Sequence, residues 1–330
     1  MFPEELLECH PHKKTLKKND EGTKFLCECG CEFPILKDIP RFVPLDNYAS
    51  SFGLQWNEYR KTQLDSFTGV PVSKTRLERM MGGNLAVIKG KTVLEAGCGA
   101  GRFTEVMLDA GATVCAVDLS TAVEANYDNC RKHENYFVCQ ANILDMPLKA
   151  SQFDIVVCVG VIQHTPDPEQ TITVLCSYVK PGGMLVIDHY THGYGSTLPR
   201  KVLRFFLKKS PKQFSLRFCQ NLTSFLWPLH VQFQKYKKFT VVKALRRVFL
   251  WLSPVVDHQD GYPEIGPESL KVWAALDTHD TLTDYYKHLR SADEIRSCLA
   301  SNGMVDIVTE YAGNGVEARA MKPVMPKREQ

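Results

Sequence analysis

Beyond residue 90 the chain alternates short apolar runs with stretches of helical periodicity. The pattern predicts strands at 92–96, 113–118, 136–141, 153–159 and 184–190. Between them it predicts helices from Arg102 to Asp109 and over 120–132, and one opening at Asp167-Pro168 with Asp167 as N-cap. The turn Pro181-Gly182-Gly183 separates this last helix from the fifth strand. Later, Ser291-Ala292-Asp293-Glu294 reads as a capping box, Asn302-Gly303 as a helix end, and 305–311 and 316–321 as two more strands. Strands and helices taking turns argue for an α/β domain built on a parallel sheet. Outside it, Arg200 to Lys209 and Val241 to Leu252 carry apolar residues at helical spacing, and Phe52 to Gln63 reads as an aromatic, mixed-charge helix.

The first strand breaks into Glu95-Ala96-Gly97-Cys98-Gly99-Ala100-Gly101, and the second ends in Asp118. Glycines let a backbone turn sharply and approach a ligand, and an acid closing the next strand suits a ribose diol, so the pair points to a nucleoside-bearing cofactor. Arg102 stands where a dinucleotide fingerprint wants its third glycine, which weakens an NAD reading. A strand, glycine turn and acid-ended strand in this order resemble the class I S-adenosylmethionine-dependent methyltransferases, type 11-like, over residues 90 to 190. The resemblance implies a doubly wound, seven-stranded Rossmann-like sheet whose last two strands form an antiparallel pair. It also implies that Gly97, Cys98, Gly99 and Gly101 lie against the methionine and ribose portion of S-adenosylmethionine, with Glu95 beneath the loop. Asp118 would take the ribose hydroxyls, and Asn142, where the family usually has Asp, would lie near the adenine amino group. Leu119, Ile143 and Gly160 complete the expected cofactor-binding set, Gly160 opening the motif that passes under the donated methyl.

His164 follows that motif and is the candidate general base, because imidazole titrates near neutrality. A histidine before Thr-Pro-Asp-Pro equally suits holding the loop. Tyr190, His189 and His192 are secondary candidates, and Asp277, Asp280, Tyr285 and Tyr286 form a polar and aromatic cluster that either lines the pocket or caps and pairs. Some quinone-ring O-methyltransferases have a Glu-His pair that serves a metal here, whereas this chain has Gln163-His164. Trp56, Arg60 and Gln63 are candidates to close over the methionine end.

Ahead of the core, Cys9, His10, His12, Cys27, Cys29 and Cys31 cluster, and two short chelating gaps give Cys9, His12, Cys27 and Cys29 as a structural zinc set with His10 and Cys31 as spares. The segment resembles the small zinc-ribbon-like module that activates several tRNA and protein methyltransferases. The organisation expected is a zinc-binding module at 1–45, a linker with leading helices at 46–90, the S-adenosylmethionine-binding core at 91–190, a helical cap at 191–260 and closing elements at 261–330.

Charge adds one more feature. Thirteen of the 40 Lys and Arg lie between residues 189 and 256, a stretch with no Asp or Glu, which leaves the rest of the chain acidic. Inserted after the fifth strand, such a segment suits an anionic or lipid-linked small acceptor, peripheral contact with an anionic membrane, or nucleic acid; its simplest reading is a helix pair packing its apolar face on the core. Cysteines scattered through predicted strands, and no signal-like stretch or apolar run near 20 residues, lead to the expectation of a cytoplasmic protein, with a membrane-peripheral location as the alternative, and no obligate protein partner. The functional expectation is O- or C-methylation of a small or lipid-linked acceptor. An RNA base methyltransferase is an alternative, although no Asn-Pro-Pro-Tyr-like motif follows the fourth strand, and a non-catalytic cofactor-binding subunit is another.

Overall fold

The computed structural model describes residues 4–193 and 197–324. Five short strands come first: β1 (Glu8–Cys9), β2 (Lys14–Lys18), β3 (Lys24–Cys27), β4 (Glu32–Leu36) and β5 (Ile39–Pro40), paired antiparallel in chain order. Helices α1 (Ser50–Glu58), α2 (Asp65–Thr68) and α3 (Val72–Met80) lead into the central unit. That unit runs β6 (Thr92–Ala96), α4 (Arg102–Asp109), β7 (Thr113–Asp118), α5 (Val123–Cys130), β8 (Tyr136–Gln140), β9 (Phe153–Cys158), α6 (Pro168–Tyr178) and β10 (Val179–Tyr190). Four further helices follow, α7 (Leu198–Leu207), α8 (Lys212–Lys235), α9 (Thr240–Leu252) and α10 (Pro267–Thr283). The chain closes with α11 (Ala292–Ser301), β11 (Val305–Ala312) and β12 (Gly315–Met321).

The seven-stranded sheet has the order β11-β12-β10-β9-β6-β7-β8. β6 to β10 are parallel and β12 is antiparallel to both its neighbours, as the resemblance implied. Successive side chains of a strand point to opposite faces, and here both faces are covered, which is why the strands read as near-continuous apolar runs. Leu94, Cys115, Val156 and Leu185 pack under α6 and α11, while Val93, Val114, Ile155 and Val186 pack under α3 and α4. Strand order reverses beside β6, so the crevice of this fold lies outside the carboxyl ends of β6, β7 and β9.

Three local departures have physical causes. The expected turn at Pro181-Gly182-Gly183 lies inside β10: Val179 already pairs with Phe153, and the register shifts before Met184 pairs with Ile155. Gly183 passes so close to the Asp154 carbonyl that an added Cβ would lie 2.7 Å away. Helix α5 begins at Val123, not at 120, because the Ser120 backbone and hydroxyl both donate to Asp118 instead. The 24-residue α8 was not expected, its pattern being interrupted by Pro228.

The amino-terminal sheet is fastened to the β8 edge. Phe42 N–H donates to the Gln140 carbonyl at 2.8 Å, and the buried Arg41 reaches the Gln140 side chain at 3.0 Å and Glu124 at 3.1 Å. Leu7, Leu16 and Phe25 join Met146, Leu148 and Tyr178 in one apolar cluster, so the two sheets share a core. Covering β8 also removes an open edge.

On the other side, α3 is pinned by charge. Arg76 donates to Asp188 of β10 at 2.5 Å and lies 3.4 Å from Glu317 of β12, which Arg79 grips with two bonds at 2.9 and 2.7 Å. Asp188 also accepts from Gly160 N–H at 2.5 Å, tying the loop after β9 to the same network. Replacing Arg76 by Leu strands a fully buried carboxylate. The expected loss is about 3–5 kcal/mol, read from urea unfolding. A loss under about 1 kcal/mol would show that the network is not holding α3.

Candidate active site

One cleft opens at the carboxyl ends of the parallel strands, and its floor is the glycine turn. Gly97 and Gly99 have φ of 82° and 49°, and a Cβ on Gly97 would fall inside the Val161 side chain. The turn therefore closes directly on the loop after β9. At the end of β7, Asp118 accepts from Gly99 N–H at 2.9 Å, from Ser120 N–H at 2.8 Å and from the Ser120 hydroxyl at 2.7 Å. Burial nonetheless holds its carboxyl above the usual range.

Of the residues expected to bind the cofactor, Gly97, Cys98, Gly99, Asp118, Leu119, Asn142, Ile143 and Gly160 line this cleft. Glu95 and Gly101 do not. Glu95 is buried beneath the turn, accepts from the Thr104 hydroxyl at 2.5 Å and is pushed up to about 8 by burial, so it ties β6 to α4. Gly101 is the N-cap of α4 and sits against Asn126 and Cys130. The Asn142 side chain accepts from Leu144 N–H at 3.1 Å.

Helix α1 and the segment after it form a side wall, with Trp56 facing Gly99. Arg102 is buried there, donating to Gln63 at 2.7 Å and to Ser73 at 3.1 Å, and burial pulls it down to about 10. The side chain that breaks the dinucleotide spacing thus bolts the leading segment to the core.

Two histidines face the cleft, each beside a carboxylate. The His164 Nδ1 is 3.1 Å from the Tyr286 carbonyl and 3.5 Å from Asp284, and burial lowers its pKa, so the ring is neutral at pH 7. With the proton on Nδ1, that nitrogen donates to the carbonyl and Nε2 is left as the base. Opposite, the His258 Nε2 lies 2.6 Å from Asp277, and Tyr262 stacks on Trp273 with ring centroids 5.1 Å apart. Sequence reasoning missed His258, whose partner is 19 residues away on α10; only its spacing before Asp277 could have hinted at it. Asp280, also lining the cleft, is pushed up to about 8 by burial, reinforced by Asp284 and Asp277.

The secondary candidates separate. Tyr190 lines the cleft and meets His164 edge-on at 5.3 Å. His189 is buried in β10 with Nδ1 2.8 Å from the Tyr190 carbonyl, and burial lowers its pKa to about 4. His192 is exposed, 3.8 Å from Glu294. Gln163 is buried away from the cleft, with neither side-chain polar atom hydrogen-bonded.

In the amino-terminal sheet the donor atoms of Cys9, His12, Cys29 and Cys31 all lie within 4.8 Å of one another. Cys31, taken as a spare, is in this group; Cys27, from the expected set, is outside it with its sulfur 2.8 Å from that of Cys29. That contact pulls the Cys29 thiol down to about 6. His10 pairs with Asp145 of the core instead.

Residues 94–187 match the family model described as a methyltransferase domain. The chain is 36% identical over 114 residues to a ubiquinone biosynthesis O-methyltransferase of Coxiella burnetii, covering 34% of this chain and 48% of that protein. It is 33% identical over 102 residues to the enzyme of that name from Bordetella avium, covering 29% and 41%. The chain thus spans about half the length of the curated relatives it matches. Among solved structures, magnesium protoporphyrin IX methyltransferase from Synechocystis PCC 6803 is 16% identical, with a TM-score of 0.43 over 83% of this chain and 96% of that one.

Asp280 supplies a pH test of the cleft. Its folded pKa lies above the ordinary value of 3.8, so the stability it contributes is fully present below about pH 4 and is lost as pH rises towards 8. Asp280→Asn keeps the shape without the charge. Between pH 5 and pH 8 the variant should therefore gain stability relative to the wild type, by calorimetric or urea unfolding, and parallel curves would place an ionised Asp280 in the native cleft.

Proposed function

We propose that the chain, whose residues 94–187 match the methyltransferase-domain model, is a class I enzyme that moves a methyl group from S-adenosylmethionine to a hydroxyl of a small or lipid-linked aromatic acceptor. The observation that carries this reading is the cleft itself, which joins the Asp118-braced glycine turn to two histidine–carboxylate pairs. The O-methyltransferase names of the relatives support oxygen as the atom methylated. A ubiquinone-precursor-like phenol with an apolar chain is the acceptor class we favour.

The residues fit the cofactor. Asp118 closes β7 at the cleft, Asn142 and Ile143 follow β8, and Gly97 and Gly99 line the cleft with backbone alone. When bound, S-adenosylmethionine supplies an electrophilic methyl on a sulfonium. Asp118 would accept hydrogen bonds from the ribose hydroxyls, and Trp56 and Gln63, which line the same cleft, would help to hold the cofactor. Tyr262, half-buried and stacked on the buried Trp273, offers an aromatic surface to the cleft. His258, oriented by Asp277, takes the proton from the acceptor hydroxyl, and His164 has the same chemistry from the other side. Much of the rate comes from holding acceptor and methyl in line, which two rigid walls provide.

We also propose that Cys9, His12, Cys29 and Cys31 hold a structural zinc ion. Bonds near 2.0–2.3 Å in a tetrahedron give ligand–ligand edges of about 3.5–3.8 Å. Cys9 lies 3.6 Å from His12 and 3.8 Å from Cys29, and Cys31 lies 3.9 Å from His12. Cys27, at 2.8 Å from Cys29, is too close for such an edge.

Three experiments test these readings. Asp118→Ala should weaken S-adenosylmethionine binding at least about tenfold by calorimetry. His258→Ala should leave that affinity intact and cut turnover of a prenylated catechol by about 10²–10⁴, followed with deuteromethyl-labelled cofactor. Equal affinity in Asp118→Ala refutes the cofactor site, and unchanged turnover in His258→Ala removes it as the base. Elemental analysis should find about one zinc per chain, lost in Cys31→Ser and kept in Cys27→Ser; the reverse pattern restores Cys27 to the ligand set.

A further inference from the structure

Helices α7 and α9 lie the wrong way round for water. Along α9, Val241, Leu245, Val248 and Leu252 form one stripe at helical spacing, and each is more than half exposed. No residue of α9 is buried. Its Arg246, from the opposite side, is turned inward, 3.6 Å from Asp257 and 2.8 Å from Asp260. On α7, Leu198, Val202, Phe205 and Phe206 are exposed while Arg204 turns inward to the fully buried Asp284 at 2.5 Å. Arg200 of α7 donates to the carbonyls of Pro254 and Val255, in the segment just beyond the end of α9.

The simplest expectation, apolar faces on the core and charges in water, holds only in part: Leu203 and Leu207 of α7 pack with Cys219 and Leu282, and Phe249 of α9 packs on Phe233, but a second apolar stripe on each helix stays exposed while an arginine turns inward. Inward ion pairs fix the helices so, and an exposed apolar stripe of this extent marks a surface that something covers. The charges around it say what. Lys201, Lys209, Lys243 and Arg247 are exposed beside the stripe, and residues 189–256 contain no acid.

We propose that α7 and α9 dock this chain on the surface of an anionic phospholipid bilayer, with the Val, Leu, Phe and Trp251 side chains entering the headgroup boundary and the Lys and Arg contacting lipid phosphates. Uniform positive charge around aliphatic side chains is the pattern of an interfacial amphipathic helix. Nucleic acid would use the charges and the aromatic rings but leave the aliphatic stripe in water. A second copy would set these like charges against each other. Among the described residues no helix is long and apolar enough to cross a membrane, so the contact is peripheral. The docking surface stands independently of methyl transfer.

The test is flotation of the full chain with vesicles of neutral phosphatidylcholine alone or containing about one-third phosphatidylglycerol. Binding is expected to the anionic vesicles, weakened at least about tenfold in Leu245→Glu/Trp251→Glu and reduced by high salt. Both substituted side chains are exposed, and thermal unfolding confirms that the variant folds. Trp emission should shift to the blue with anionic vesicles, and that shift should shrink in Trp251→Phe. Absence of binding, equal binding by the double variant, preference for RNA over vesicles, or a stable dimer that the double variant dissolves would each overturn the proposal.

Discussion

The cleft depends on one close approach. Where β6 ends, the backbone at Gly97 runs against Val161 so tightly that no side chain fits, and this sets how near the loops after β6 and β9 can come. Asp118 then spans from β7 to Gly99 N–H, and Asp188 holds the N–H of Gly160. Asp188 is buried and Asp118 half-buried, and both accept from backbone donors, so these loops are held in place by hydrogen bonds of the chain itself. Buried polar groups are costly unless satisfied, and here the satisfaction is what positions the loops.

The central sheet was legible because its period is local. Alternation of strand and helix, the Asp167 cap and the Ser291–Glu294 capping box all depend on residues within one or two turns, and each occurs where the pattern predicts. Contacts between distant segments were not legible. His258 acquires its partner from α10, and Arg41 and Phe42 acquire theirs from β8. The thiol cluster shows the same limit on a smaller scale. Short gaps in sequence favour Cys27 as a partner of Cys29, but the hairpin between β3 and β4 brings Cys31 round to His12.

The amphipathic pattern of the cap was legible; which way it faces was not. Periodicity finds the apolar stripe of a helix but carries no information about what lies on either side of it. That is decided by the acids waiting underneath, Asp284 for α7 and Asp257 with Asp260 for α9, all outside the acid-free segment. A carboxylate facing an apolar helix face would lose one of its charged partners, which favours turning the arginines inward at the cost of exposing a few aliphatic side chains.

One of those acids, Asp284, also reaches a residue of the cleft. Asp284 accepts from Arg204 and also lies 3.5 Å from the His164 ring, while Asp257, beside Arg246, pairs with His230 at 2.8 Å. The ion pair that turns the apolar stripe of α7 outward is therefore also the one that biases the imidazole in the cleft. Lys287 lies 3.0 Å from the same carboxylate, so Asp284 gathers a residue of the surface helix, a residue of its own segment and a histidine of the cleft around one buried charge.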